Sequence, residues 1–431
     1  MMDKAADFPP FKLRLGLWAY AVLWWLMLPV ILLYLRRRGR KDPAYRMHLR
    51  ERFGVCAPSR GDVVWIHAVS LGEMRSATPL IRALLGRGER IVTTHFTPAG
   101  RREAEREFAA EIRDGQVQVV WVPFEFGFAY RRFLRHFTPK YGLVMEIEVW
   151  PRMIMACRRH GTNLFMCNAQ YPQRSFEKDQ RGFGLRAALM AGFSGGFVKS
   201  EQQKSRFAHA GMRNINVTGE LRFEQPIPQA QLDAGAALRP RLAADRPIFT
   251  LTSVVEGEDA LYLDMIAATP DALFVYVPRA PERFDEVADM LAAKGLRFAR
   301  RSTLLGPDLA LTGEAPEVDV LLGDSMGEMY FYLSLCDRAI VGGGFVEKGA
   351  HNIIEPLALR KPVIVGPHIW TIAYPATEAI AAGVCHMVES PGALKSIVAD
   401  PPMVTDAQIA AFYADHAGSV RRTLAAIDAL T

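Results

Sequence analysis

The sequence predicts an α/β protein of two doubly wound parallel sheets in tandem, behind a single apolar helix at the N-terminus. Three observations carry this. Short apolar runs alternate with longer amphipathic stretches along almost the whole chain, as they do where helices wrap both faces of a parallel sheet. The alternation is broken once, from Gln225 to Pro247, and then restarts. The 431 residues, 50% of them hydrophobic, are also more than one ordinary core takes up.

The N-terminal helix comes first. Leu15 to Leu35 carries no charge and includes Trp18, Trp24 and Trp25. At about 1.5 Å per residue this stretch is roughly 31 Å long, the thickness of a hydrocarbon core. A signal peptide would have a shorter apolar region followed by small residues. Here Arg36, Arg37, Arg38, Arg40 and Lys41 follow at once and outweigh Lys4, Lys12 and Arg14 on the other side. Residues 1–42 are therefore expected to anchor the chain in a membrane with its bulk facing the cytoplasm. Pro29 leaves open whether the helix spans or lies in one leaflet.

Behind the anchor, strands are expected at Val63–Val69, Ile91–Thr94, Val117–Val122, Leu143–Ile147, Asn163–Cys167, Gly196–Val198 and Ile215–Val217, with helices between them as at Ala77–Leu85 and Ala99–Phe108. These make a first domain over 43–230. The Pro-, Gln- and Ala-rich stretch reads as a linker over 231–246. A second domain over 247–431 has strands at Ile248–Thr252, Leu273–Val277, Val318–Leu322, Arg338–Val341 and Pro362–Val365, and closes with helical periodicity from Thr405. Two such domains place an active cleft at the carboxyl ends of their strands.

Net charge is +6 with pI near 9.1, which favours an anionic partner. Charge is the whole of the case for nucleic acid, and none is expected. Cys56, Cys157, Cys167, Cys336 and Cys385 are scattered without Cys-x-x-Cys spacing, so they read as free thiols in a reducing compartment.

Five stretches could carry chemistry. Ser70-Leu71-Gly72-Glu73 follows the first strand and opens a helix; it reads either as a capping box or as a general base, Glu73, at a strand's carboxyl end. Glu146-Ile147-Glu148 places two glutamates at a strand end with period two, where like charges repel; they are either paired with a cation or catalytic. Gly342-Gly343-Gly344, followed by His351-Asn352-Ile353-Ile354-Glu355-Pro356, offers close backbone approach and a helix start to a phosphate, with Glu355 able to grip ribose hydroxyls. The other reading is a glycine-rich turn and an acidic helix start. Val277-Pro278-Arg279 sets a cation at a strand end, and Asp324-Ser325-Met326-Gly327-Glu328 either lines a pocket or caps a helix. No Asp-x-Asp occurs, and the histidines lack metal-ligand spacing.

Taken together, these motifs resemble the Kdo (3-deoxy-D-manno-octulosonic acid) transferases of lipid A biosynthesis, inner-membrane enzymes of GT-B fold. The resemblance covers essentially the whole chain: the anchor with its basic exit, His67 to Glu73, Thr93 to Pro98, Glu146 to Pro151, Pro278 to Phe284, Asp324 to Glu328 and His351 to Pro367. It implies two Rossmann-like domains facing a cleft, a CMP-Kdo donor as co-substrate with no further cofactor or metal, and lipid IVA as the anionic lipid acceptor. It implies that Glu73 is the proton acceptor and that Glu146 and Arg222, the latter where the family has lysine, stabilise the transition state. Pro278, Arg279, Met326, Gly327, Glu328 and the run Asn352, Ile353, Ile354 and Glu355 match the CMP-binding segments. Direct attack on the anomeric carbon would invert configuration. Arg131, Arg132 and Arg135 would suit an anionic lipid, their other reading being a solvated charged face. The family's Asn-Ala-Arg reads Asn168-Ala169-Gln170, and Gly-Asn-Leu-Lys reads Gly219-Glu220-Leu221-Arg222. Ser-Thr-His-Glu-Gly-Glu reads Ser253-Val254-Val255-Glu256-Gly257-Glu258, and Ala280 replaces a histidine. Transfer of another CMP-activated acidic sugar, or nucleotide binding without turnover, are the alternative readings.

Overall fold

The apolar runs become two parallel sheets of seven strands each. The computed structural model describes residues 8–59, 61–181 and 184–431. Residues 1–7 of the expected anchor, Lys4 among them, lie outside it. The chain divides into two compact units: residues through Gln225 together with Gly418–Thr431, and Pro226–Ala417.

In the first unit the strands are β1 (Val63–His67), β2 (Arg90–His95), β3 (Val117–Trp121), β4 (Tyr141–Met145), β5 (Asn163–Ala169), β6 (Gly195–Val198) and β7 (Ile215–Val217). They lie in the order β3-β2-β1-β4-β5-β6-β7, all parallel. Every residue of β1 is buried, because helices cover both faces of the sheet and each face must be apolar. Alternation sorts these side chains: Trp65 joins a cluster with Phe133 and Ile154, while Val64 and Ile66 join one with Leu80 and Leu143.

The second unit repeats the plan with β8 (Ile248–Val254), β9 (Leu273–Pro278), β10 (Phe298–Arg300), β11 (Val320–Leu322), β12 (Arg338–Val341), β13 (Val363–Val365) and β14 (Cys385–Met387), in the order β10-β11-β9-β8-β12-β13-β14. In each sheet the order reverses at one place, between β1 and β4 and between β8 and β12, where two adjacent strands send their following helices to opposite faces and leave a crevice.

Several elements differ from expectation. The fourth strand stops at Met145 instead of Ile147, because Glu146 adopts φ +57° and breaks the alternation. The stretch expected as a linker, 231–246, is mostly the helix Gln229–Ala243, whose Leu238 and Leu242 pack in the second unit's core with Phe331 and Leu335. The final helix, Ser419–Asp428, belongs to the first unit and not the second: Val420, Leu424 and Ile427 enter its core beside Leu221.

The N-terminal helix runs from Phe11 to Arg38 with mean hydropathy 2.0 in its most apolar window. One stripe of it packs on the first unit. Leu13 and Leu17 are buried in that unit's core, Trp24 lies 6.0 Å from Phe124 and 5.8 Å from Phe126, and Leu35 closes the contact beside Ala129. The opposite stripe leaves Phe11, Leu15, Trp18, Leu26 and Leu33 exposed.

Candidate active site

The end of β1 is built to hold a carboxyl group in a dry place. Both histidines beneath it are fully buried and held neutral, their pKa values pushed down by burial to about 3. His95 Nδ1 meets the Ala68 carbonyl at 2.8 Å, so it carries the proton, and Nε2 accepts from the Thr93 hydroxyl at 2.9 Å. His67 Nδ1 bonds Thr94 Oγ1 at 2.9 Å. These contacts lock the β1 and β2 ends together and fix the turn that follows.

From that turn Ser70 caps the helix Leu71–Gly86, accepting from the Glu73 amide at 3.4 Å, and Glu73 reaches back to the Val69 amide at 2.6 Å and the Ser70 hydroxyl at 2.9 Å. The capping geometry is thus present. It does not exhaust the residue: burial pushes the Glu73 carboxyl up to about 7, with Glu148 and Glu146 adding repulsion against the pull of its two donors. A carboxyl group that titrates near neutrality at a switch point is placed to move a proton. The two readings of Glu73 are compatible.

Across the switch point, the residue after β4 is Glu146. Its left-handed backbone costs about 1–3 kcal/mol for a non-glycine residue and needs surrounding contacts to persist. Those contacts are present. Its amide donates to the Cys167 carbonyl at 2.9 Å, and Lys199 Nζ reaches both carboxylate oxygens at 3.0 and 2.9 Å. Asn168 Nδ2 donates to it at 3.0 Å, and an Arg222 Nη2 stands 3.5 Å away. Glu148 is drawn elsewhere, accepting from Trp150 Nε1 at 2.7 Å, while burial raises its pKa. The two glutamates therefore leave a strand end in different directions and do not share one face.

Lys199, which the sequence did not single out, is the hub. It also pairs with Glu220 at 2.8 Å and approaches the Gln170 oxygen at 3.4 Å. Glu220 is buried, a circumstance that alone would raise its pKa, yet Lys199 and Arg222 hold it well below the usual carboxylate range. Arg222 Nε donates to Ser76 Oγ at 2.9 Å, tying the cluster to the helix that starts at Glu73. Glu73, Glu146 and Arg222 are thus brought to one end of one sheet.

In the second unit the expected residues also gather at strand ends. Pro278 ends β9, and exposed Arg279 follows it, its amide bonded to the Val254 carbonyl at 2.8 Å. The His351 imidazole is held neutral, its pKa lowered by burial to about 4 with the Arg279 charge assisting, and its Nε2 is buried without a partner. Glu328 is gripped by Arg301 at 2.6 and 2.7 Å, Gly327 accepts from Gln231 at 2.9 Å, and Met326 is exposed.

Within the glycine run, Gly343 has a structural role of its own. The Gly343 amide is occupied by Glu258 at 2.8 Å, which also accepts from Phe345 at 3.0 Å and Val255 at 3.2 Å. At φ +85° a Cβ on Gly343 would lie 2.3 Å from the Gly349 carbonyl oxygen, so backbone crowding requires the glycine. Of the segment after it, Asn352 Oδ1 accepts from the Ile354 amide at 2.9 Å, and Ile353 and Ile354 are buried. Glu355 opens the five-residue helix Ile354–Ala358 and is half-buried. Amides at this helix start are partly spoken for, which leaves Arg279 and the unpartnered His351 nitrogen as the polar groups best placed for an anion.

Comparison with known proteins gives the lineage of this arrangement. Residues 47–225 match the family model described as 3-deoxy-D-manno-octulosonic-acid transferase (kdotransferase). The 3-deoxy-D-manno-octulosonic acid transferase of Bordetella pertussis is 41% identical over 93% of this chain and 96% of its own length. That of Haemophilus influenzae is 33% identical over 81% of this chain and 82% of its own. Among solved structures, a glycosyltransferase from Rickettsia africae superposes with a TM-score of 0.54 at 13% identity, covering 86% of this chain and 99% of that one. The UDP-GlcNAc 2-epimerase of Neisseria meningitidis gives 0.53 at 12%, covering 85% and 99%. These two likenesses bear on fold alone, the paired Rossmann-like units of GT-B type. The sequence relationships, extending over nearly the full length and through the strand ends that carry Glu73, Glu146 and Arg279, make this chain a member of the 3-deoxy-D-manno-octulosonic acid transferase family.

Proposed function

We propose that this chain transfers Kdo from CMP-Kdo to lipid IVA at the cytoplasmic face of the inner membrane, with inversion at the anomeric carbon. The observation that carries the reading is Glu73: a carboxyl group poised near neutrality at the end of β1, beside the Glu146–Lys199–Arg222 cluster. In the proposed step an acceptor hydroxyl gives its proton to Glu73 while its oxygen bonds to the anomeric carbon. The bond from that carbon to the phosphate oxygen breaks, and CMP leaves with the electron pair. A positioned base contributes about 10²- to 10⁴-fold. Glu146, fixed by Lys199 and Asn168, offsets positive charge on the sugar as CMP departs, and Arg222 offers a cation to negative charge nearby. In the second unit Arg279 and His351 serve the single phosphate, and Glu355 the ribose. The Phe11–Arg38 helix supports membrane attachment by its length and exposed apolar stripe.

The test is to incubate the purified chain with CMP-Kdo and lipid IVA and weigh the lipid product. A mass gain of one or more Kdo units is expected, and the increment counts them. No product from CMP-Kdo, with product from a UDP-sugar, would overturn the donor assignment.

A further inference from the structure

We propose that the pocket between helices Gly127–Phe137 and Pro151–His160 binds the phosphate of an anionic membrane-lipid headgroup, at the surface of the leaflet in which the N-terminal helix lies in plane. This rests on the membrane attachment proposed above and on nothing in the transfer reaction. The pocket holds about 250 Å³ and is lined by Arg131, Arg135, Arg152 and Arg159 with His160, over an apolar floor that includes Leu134 and Met155. Four arginines line it, and among the described residues none of them makes an ion pair. Arg152 is half-buried, and its pKa is lowered by burial and by the charge of Arg159, with Glu125 acting the other way. Crowded cations of this kind gain most from a shared anion, and arginine's planar fork suits phosphate oxygens.

The position of the pocket selects a lipid as the source. Arg152 donates from its Nη2 to the Leu17 carbonyl of the N-terminal helix at 2.8 Å, and Phe128, next to Gly127, stacks on Trp25 with ring centroids 6.1 Å apart. The pocket therefore borders the helix itself. That helix keeps one stripe on the first unit from Leu13 to Leu35, roughly 33 Å at 1.5 Å per residue. Standing across a bilayer, it would carry the flanking arginines into hydrocarbon. Lying in one leaflet, it buries Trp18, Leu26 and Leu33 and holds the arginines at headgroup depth.

The test is sedimentation of the full chain with vesicles of phosphatidylcholine, alone or mixed with phosphatidylglycerol. The variant is Arg135→Ala with Arg159→Ala, both exposed positions; the control is Arg36→Ala with Arg37→Ala at the helix end. The pocket variant should partition onto anionic vesicles well over 30-fold more weakly, about 30-fold being what the loss of any two arginines near an anionic surface brings, and bind neutral vesicles as before. The control should lose markedly less. Equal losses in the two pairs would mean diffuse surface charge and overturn the pocket, as would an unchanged pocket variant. Vesicle-free thermal stabilisation by inorganic phosphate, absent in the pocket variant, would assign the site to a soluble anion instead. Binding that requires lipid IVA in the vesicle would reassign it to the acceptor. Partition involves no turnover, so a failure of the transferase reading leaves this result readable.

Discussion

Lys199 Nζ holds both carboxylate oxygens of Glu146, at 3.0 and 2.9 Å, from a position only 3% exposed. With Glu220 at 2.8 Å and Arg222 beside them, two acids and two bases balance at the carboxyl ends of β4, β6 and β7. Removing one member of a buried pair leaves an uncompensated charge, typically at a cost of about 3–5 kcal/mol. Lys199→Met should therefore lower unfolding free energy by about 3 kcal/mol in denaturant titration and depress transfer as well. Adding Glu220→Gln should recover part of the stability, because the second orphaned charge goes with it.

Glu73→Gln should abolish transfer while changing the thermal midpoint little, since a glutamine can still accept from the Val69 amide. As the proposed base, Glu73 must be ionised to work in the unaltered chain. With its pKa raised to about 7, kcat/KM should fall roughly tenfold for each pH unit below that value and level off above it. A pH–rate profile flat from 5 to 8 would remove Glu73 as the base.

Arg222 forks between Ser76 Oγ at 2.9 Å and Glu146 at 3.5 Å. A lysine restores the charge but not the fork. Arg222→Lys should retain a substantial part of the rate and Arg222→Ala about a hundredfold less than wild type, read from initial rates at saturating donor.

CMP should raise the thermal midpoint by the increment RT ln(1 + [L]/Kd) brings to a liganded fold. Arg279→Ala and Glu355→Ala should each shrink that shift, and Arg279→Ala should also raise the His351 pKa from about 4, because a neighbouring cation is gone. NMR titration of the His351 ring checks the second effect.

Transfer should survive exhaustive chelation. The proposed donor leaves as a monophosphate, so less charge develops than on a diphosphate, and Arg279 can meet it. Loss of activity on EDTA treatment, restored by Mg²⁺ or Mn²⁺ with a lipid-free acceptor analogue, would contradict this.

Most strands were legible in the sequence, the edge strands β3 and β7 among them, and β7 and β12 end where their apolar runs do. β10 and β14 did not register because a charged or imidazole side chain interrupts each three-residue run, at Arg300 and at His386. The helix Gln229–Ala243 was hidden by Pro240 and by the polar residues of its outer face. Glu73, Glu146 and Arg279 could be picked out because acids and bases at strand ends are conspicuous. Lys199 could not: it sits in an ordinary Val-Lys-Ser-Glu passage, and only the left-handed turn at Glu146 brings it to its partners. The glycine run is ambiguous for a related reason. A close approach of two backbones and a close approach of a ligand demand the same residue, and at Gly343 the structure shows the first, with Glu258 on its amide.

The return of the last helix to the first unit makes the molecule one interrupted domain carrying another as a cassette. The outgoing and incoming strands of chain are pinned side by side where Glu224 accepts from the Ser419 hydroxyl at 2.6 Å and the Val420 amide at 2.8 Å. A fragment ending at Gln225 would lack Val420, Leu424 and Ile427 from its core and expose Leu221. Splicing Gln225 to Gly418 through a few glycines would instead give an unbroken first unit, and any nucleotide-binding module whose two ends lie close together could be grafted at the same junction.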